Sequence, residues 1–419
     1  MRDKKKEYMS GSALLADFGY TGEILQKLIQ IPSEYEREHT ILSFVEKEIR
    51  RIGFTPERVS YDTELLASLP TACLPFSKVP DRHCLVVKCR GSGGGRSLVL
   101  NSHLDIVPAG DESNWANPPF SGNVDVETRS IYGRGAMDDK AGVSLALSML
   151  DWIANECPGL SGDLIFHFVI EDEITGNGSL LCLEAGHVAD AALILDGTRG
   201  EKAISQHAGN LQFSLYAEGR PASVSVSHLG VNACEALATF TNRIRDEVFS
   251  WNERRPEPWS CYPSPNQFVT QSFHSEGAVL TVPSQANATC YLTFTPDKTL
   301  PEVRSRIEEM VLEFQKELQL VALDVTWEGH FFAEAVVSQT QHLFKVLKEE
   351  SLQAGMGDVE LSPSTGTSDM RHFIANGIPC LLYGPGRGFN PHRFNEYYEL
   401  DSIPPFQEFL RRFIRTWCA

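Results

Sequence analysis

Leu98-Val-Leu-Asn-Ser-His103-Leu-Asp105 opens as an apolar run and closes on a histidine and an aspartate two residues apart. A short apolar run preceded by glycines (Gly93, Gly94 and Gly95) reads as a strand buried on both faces, the kind that fills a parallel sheet. Three further runs end the same way. Leu164–Ile170 leads into Glu171-Asp172-Glu173, Ala191–Leu195 into Asp196-Gly197, and Pro379–Tyr383 into Gly384-Pro-Gly386 with His392 beyond. A fifth segment, Gly133-Arg-Gly-Ala-Met-Asp138-Asp139, runs into an apolar helix read over Ala141–Ala154. Ligands of open α/β sheets collect beyond the carboxyl ends of the strands, so five acid- and histidine-bearing segments converge on one edge.

Outward from these segments the chain alternates strand and helix. Ile24, Leu25, Leu28 and Ile29, then Ile41, Phe44, Val45 and Ile49, recur at helical spacing, with Pro32-Ser33 breaking the run between them. Leu85–Val87 is another short strand. Near Ile204 the texture changes: Leu211–Tyr216, Val279–Val282 and Ala288–Phe294 read as strands, Asn232–Trp251 and Pro301–Leu318 as helices. After about Thr326 the alternation resumes with helix 339–354, strand 379–383 and helix 404–416. The expected fold class is α/β: a catalytic domain with a mostly parallel sheet in two parts, residues 1–204 and 326–419, and a small α+β domain inserted at 205–325.

The 419 residues carry 37 basic and 55 acidic side chains, a net charge of −18. That balance excludes polyanionic partners, so no nucleic acid and no anionic membrane surface is expected. No apolar stretch is long enough to span a bilayer, and the basic start at Lys4, Lys5 and Lys6 lacks the apolar run of a signal peptide. Ten scattered cysteines without a C-x-x-C pair suit a reducing, cytoplasmic setting.

Histidine and carboxylate donors without thiolate suit Zn²⁺, with Co²⁺ or Mn²⁺ as alternatives, in a catalytic site. Two ions roughly 3.5–4 Å apart need about five ligands, one of them shared. Any one segment is ordinary: an isolated His-x-Asp is common, a Glu-Asp-Glu triplet is usually a solvated turn, and a lone aspartate after a strand is usually a cap. Their joint placement at strand ends favours a metal centre.

The segments NSHLDIVPAG, YGRGAMDDKAG, EDEITGNGSL and the closing GPG…H…NE resemble the M20 metallopeptidases, the group of aminoacylases, acetylornithine deacetylases, succinyl-diaminopimelate desuccinylases and glutamate carboxypeptidases. The resemblance implies two divalent metal ions. His103 and Asp196 would ligate one, Glu173 and His392 the other, and Asp138 would bridge them. Asp105 would orient His103. Asp369 and Arg371 match a segment near the pocket, and Asn395-Glu396 also fits. The ligand of the family's Glu-Glu pair falls about 35 residues after the bridging aspartate, which makes it Glu173. The general base is then Asp172, in the glutamate position, or Glu171.

The inserted domain, in the family a lid and dimerisation domain, departs from the pattern. In GRPASVSVSHLGVNA the histidine that polarises the substrate carbonyl is replaced by Ser223, while His228 lies out of register and Asn232 matches. Leu280 and Thr293 stand where an asparagine and a carboxylate-binding arginine are expected. His207, His228 or Arg220 are candidates to compensate, and Arg371 and Arg387 to anchor a substrate carboxylate. The expected function is a dinuclear metal-dependent amidohydrolase, homodimeric, that cleaves an N-acyl amino acid or short peptide. Alternatives are a non-hydrolytic step, amide or ring formation, on the same scaffold, or a non-catalytic metal-binding protein.

Overall fold

The computed structural model describes residues 10–157, 159–198, 200–318 and 321–419. Lys4, Lys5 and Lys6 lie outside the described residues.

The main sheet runs in the order Glu57–Ser60, His83–Cys89, Leu164–Val169, Leu98–His103, Ala192–Ile194, Cys380–Leu382, Lys202–His207 and Val336–Val337, with Glu360–Ser364 also paired to Lys202–His207. Its four central strands, Leu164–Val169 to Cys380–Leu382, are mutually parallel, and antiparallel strands close the edges. Leu98–His103 and Leu164–Val169 are buried along their whole length, which is why they read as continuous apolar runs rather than alternating ones. Helices Gly19–Ile29, His39–Ile52, Lys140–Asn155 and Ile403–Trp417 pack together on the sheet, while Asn177–Glu184 and Met370–Ala375 form a second, smaller group.

The first part of the Lys140–Asn155 helix lies hard against the loop after Ala192–Ile194. A Cβ at Gly142 would come within 2.5 Å of the Leu195 carbonyl and 2.1 Å of Asp139 Oδ1. Glycine there lets the helix start, and so Asp138-Asp139, sit at the strand ends.

The second sheet is antiparallel, ordered Phe268–Glu276, Gln285–Phe294, Gly209–Glu218 and Ala322–Thr326, with Phe332–Ala333 also on Gly209–Glu218. Leu211, Phe213, Leu215 and Ala217 point into a core shared with helices Ala233–Ser250 and Leu300–Leu318. Alternation turns Asn210, Gln212 and Ser214 to the other face.

Two elements differ from the sequence reading. Val279–Val282 is a turn rather than a strand: Leu280 has φ 63° and Thr281 forms an isolated bridge with Ser223. The strand that fills the sheet is Phe268–Glu276, mostly exposed at the edge and therefore without the apolar signature of a buried strand. Lys202–His207 belongs wholly to the main sheet and runs across the 204/205 boundary read from texture.

Candidate metal centre

His103 ends its strand, and its Nδ1 lies 3.0 Å from the Asp105 carbonyl oxygen. The Asp105 carboxylate sits 3.6 Å from the same nitrogen. Its two oxygens accept the backbone N–H groups of Asp172, at 3.2 Å, and Glu173, at 3.1 Å. Asp105 thus ties two strand ends together besides standing beside the imidazole.

Asp138 lies between two histidines. Its Oδ1 is 3.0 Å from His103 Nε2 and its Oδ2 is 3.0 Å from His392 Nε2. Glu173 Oε2 is 2.9 Å from the same His392 nitrogen. On the other side, Asp172 Oδ2 and Asp196 Oδ2 stand 3.9 and 4.0 Å from His103 Nε2. Among the described residues two ligand groups have donor atoms within 4.8 Å of one another: His103, Asp138 and Glu173, and His103, Asp172 and Asp196.

The electrostatics follow from crowding. Burial opposes charge on Asp138, but hydrogen bonds to His103 and His392 outweigh it and hold this carboxyl below the usual range. Burial, reinforced by Asp138, pushes Glu173 up to about 8. Burial and then Asp138 push Asp196 well above the ordinary value. Asp172 is raised chiefly by burial. His103 is raised despite burial, because Asp172 and hydrogen bonds to Asp105 and Asp138 favour its charged form. The bonds to Asp138 and Glu173 raise His392 to about 11.

Glu173 Oε1 and Asp196 Oδ1 are buried without a hydrogen-bond partner. Buried carboxylate oxygens left without a partner are unfavourable unless a cation meets them. Two imidazoles and a ring of carboxylates are a donor set for a divalent metal, so these residues fit one.

The three consecutive acids separate. Asp172 and Glu173 face the centre. Glu171 is turned away and fully buried, held by Arg82, by Tyr61 Oη at 3.0 Å and by Thr175 Oγ1 at 2.6 Å. Arg82 also binds Glu38 and stands over the rings of Tyr35 and Tyr61. An ion cluster drawn from residues 38, 82 and 171 leaves no local trace in sequence.

Glu396 is fully buried beneath the Asp138 loop. Its Oε1 accepts from the Met137 and Asp138 N–H groups, at 2.9 and 3.1 Å, and its Oε2 from Gly135 N and Arg134 Nη1, at 3.0 and 2.7 Å.

Most of the other expected substrate contacts are placed elsewhere. Arg371 is buried, bonded to the Thr175 carbonyl and set over the Phe331 ring at 5.6 Å; it lines a separate cavity of about 230 Å³. Arg387 also lines a different cavity, beside Gly200 and Ser402. Asp369 remains at the centre: its carboxyl accepts from Ser179 Oγ and shares a hydrogen bond with the carboxyl of Asp172. Asn232 caps the Ala233–Ser250 helix, accepting from Cys234 N at 3.1 Å, and His228 is exposed on a short 3-10 segment; neither lines this chain's cleft. His207 is buried and bonds the Ala208 carbonyl, burial holding it neutral with a pKa lowered to about 4. Arg220 is exposed and pairs through its backbone with Val231. Thr293 donates to the Pro265 carbonyl and so braces a loop.

Asp138, Asp172, Glu173, Asp196 and His392 form one wall of a cleft of about 570 Å³. The second sheet supplies the opposite wall through Asn210, Gln212, Gln271 and Tyr291. Sequence reading missed these four, since alternation says which face a residue takes but not what stands across from it.

Residues 99–416 match the model of peptidase family M20/M25/M40. The chain is 24% identical over 363 residues, 80% of its length and 82% of the relative's, to the N-formyl-4-amino-5-aminomethyl-2-methylpyrimidine deformylase of Halalkalibacterium halodurans. The enzyme of the same name from Bacillus subtilis is 23% identical, over 77% of this chain and 80% of its own. The fold is that of a tripeptidase from Staphylococcus aureus, with a TM-score of 0.74, 19% identity, and 96% and 98% of the two chains covered. The chain belongs to peptidase family M20/M25/M40 and is a metal-dependent hydrolase of amide bonds.

Proposed function

We propose that the protein hydrolyses the amide of a small N-acyl amine, N-acyl amino acid or short peptide with two divalent ions, zinc first among them. The observation that carries this reading is the placement of Asp138 between His103 and His392, each 3.0 Å from a different carboxylate oxygen. His103, Asp138 and Asp196 would hold one ion, and Asp138, Glu173 and His392 the other. Ions held there supply Lewis acidity to the carbonyl and lower the pKa of water.

Asp172 is the proton carrier. Its carboxylate faces the cluster, while Glu171 is committed to Arg82. Asp172 takes a proton from the attacking water and delivers it to the leaving nitrogen as the C–N bond breaks, yielding a carboxylic acid and an amine. Asp105 and Glu396 keep the loops that carry Glu173 and Asp138 in place.

A homodimer fits the inserted region. Val224, Leu229, Val279 and Leu280 are exposed near the Ser223–Thr281 bridge, and Phe268–Glu276 offers a free sheet edge. The ten cysteines are free, which fits a cytoplasmic setting. Among the described residues no helix is long and apolar enough to cross a membrane.

The test is turnover of N-formyl and N-acetyl amines and dipeptides by chelated protein reconstituted with Zn²⁺, Co²⁺ or Mn²⁺. Amine release at roughly 1–10³ per second with about two ions per chain is expected. Absence of amine release from every substrate at full metal content would overturn the reading.

A further inference from the structure

Glu38, Arg82 and Glu171 come from three distant segments and meet in one buried ion cluster. Arg82 joins both carboxylates, Nη2 to Glu38 at 2.5 Å and Nη1 to Glu171, and stands over the rings of Tyr35 and Tyr61 at 5.0 and 4.9 Å. The hydrolytic scheme uses none of these groups, and Arg82 does not line the cleft. Charges taken this far out of water are costly to bury, and a core built for stability alone does as well with apolar side chains.

The backbone shows what the cluster holds. Glu171 has φ 72°, in the left-handed region that a glutamate disfavours. Glu36, two residues before Glu38, has φ 65°, and Asp81, next to Arg82, has φ 59°. Such conformations persist only where the surroundings over-determine them. The one at Glu171 decides where the next two side chains go. A strand sends successive side chains to opposite faces, so continuing Leu164–Val169 would part Asp172 from Glu173. Instead the chain turns. The Glu171 carbonyl accepts the N–H groups of Ile174, Thr175 and Gly176 at 3.2, 2.9 and 2.6 Å, and Asp105 takes those of Asp172 and Glu173. Both side chains then reach the centre, Asp172 3.9 Å from His103 Nε2 and Glu173 2.9 Å from His392 Nε2.

Resting on the amide-hydrolase reading for its catalytic half, we propose that Arg82 is a positioning residue for Asp172 and Glu173. It acts through Glu171: by holding that side chain away from the centre, it keeps the Glu171 backbone left-handed. The left-handed turn aims the proton carrier and the neighbouring metal ligand at the same space. Tyr61 and Thr175 fix the second Glu171 oxygen at 3.0 and 2.6 Å, and Glu38 fixes Arg82 from behind.

The experiment compares Glu171→Ala with Glu171→Gly. Both delete the same anchor, but glycine adopts φ 72° at no steric cost and alanine does not. Zn²⁺ affinity is titrated on the apoproteins against a chromophoric chelator. kcat and KM are measured at saturating Zn²⁺ on the fastest substrate of the N-formyl and N-acetyl amine panel. Glu171→Ala should lower kcat and the affinity for the weaker ion by about 10–100-fold each, with KM close to native. Glu171→Gly should keep all three close to native. Arg82→Met should behave like Glu171→Ala, and Arg82→Met combined with Glu171→Gly should recover both losses. Should Arg82→Met fail to fold, the alanine–glycine pair decides alone. A cluster that serves stability only predicts equal kcat and equal Zn²⁺ affinity for the alanine and glycine variants, whatever their melting temperatures, and that result would overturn the proposal. So would native kcat and affinity in Arg82→Met. The Zn²⁺ titration needs no substrate. Affinities that fall in Glu171→Ala and hold in Glu171→Gly, without amide turnover by the native protein, would support the positioning role and refute the hydrolase reading.

Discussion

Glu396 Oε1 lies 3.1 Å from the backbone nitrogen of Asp138, and the same oxygen takes the Met137 N–H at 2.9 Å. The residue proposed to bridge two cations is therefore itself held through its main chain, by a buried carboxylate. Glu396→Gln keeps the shape but turns an NH₂ towards N–H donors on one side. Supporting contacts of this kind typically matter by about 10–100-fold in metal affinity or activity. We expect a loss of that size in both, read by metal titration and kcat, with the far-ultraviolet dichroism unchanged. Unaltered affinity would show that the loop holds itself.

Asp172 and Glu171 should part company in a paired substitution. Asp172→Asn removes the proposed proton carrier and should lower kcat by about 10²–10⁴, with metal content and thermal midpoint preserved. Glu171→Gln weakens the buried contact to Arg82 and should instead cost about 1.5–3 kcal/mol of stability, with kcat of the folded fraction close to native. Denaturant midpoints and initial rates, measured on both variants, decide the matter; a larger kcat loss in Glu171→Gln would return the base to that residue.

Removing the metal should loosen the fold as well as stop turnover. Without cations, Asp138, Glu173 and Asp196 face one another in a buried space; the imidazoles of His103 and His392 offset part of their repulsion, and burial leaves Glu173 and Asp196 with raised pKa values. Chelation should lower the melting temperature, and Zn²⁺, Co²⁺ or Mn²⁺ should restore it in step with activity. Among single ligand changes, Asp138→Ala should be the most damaging to metal content. An Asp138→Ala protein that binds two ions would remove the bridge from the scheme.

His167 sets a pH limit on stability. It is fully buried beside His187 and Phe373, and burial lowers its pKa from 6.5 to about 3. The unfolded chain binds a proton at pH 6.5 that the folded chain refuses until about pH 3, so stability is full above 6.5 and falls as pH drops through that window. The loss is on the order of a few kcal/mol. Urea midpoints from pH 8 to pH 4 should fall less steeply for His167→Phe than for the native protein. Parallel curves would show that His167 does not contribute.

The strand-end donors were legible in sequence because each sits within a few residues of an apolar run that betrays its strand. His103 after Leu98–Leu100 and Asp196 after Ala191–Leu195 are of this kind. Glu171 was not legible: three adjacent acids look alike until Arg82, on a distant segment, claims one of them. Asn210 and Gln212 were hidden for another reason. Their strand betrays its buried face through Leu211 and Phe213, and the polar positions between them look the same whether they meet solvent or a substrate. Phe268–Glu276 escaped because an edge strand wetted on both sides has no apolar period to show.

Buried carboxylates hold the backbone of the centre at six points. Asp139 takes the His103 N–H, Glu396 those of Gly135, Met137 and Asp138, and Asp105 those of Asp172 and Glu173. Five of the six lie outside any helix or strand. In deuterated solvent, loop amides of this kind ordinarily trade their hydrogens quickly, whereas these can do so only when a side chain lets go. The loops at the mouth of the sheet should therefore keep time with its core strands, and the first amides to exchange faster after a substitution should name the carboxylate that was disturbed.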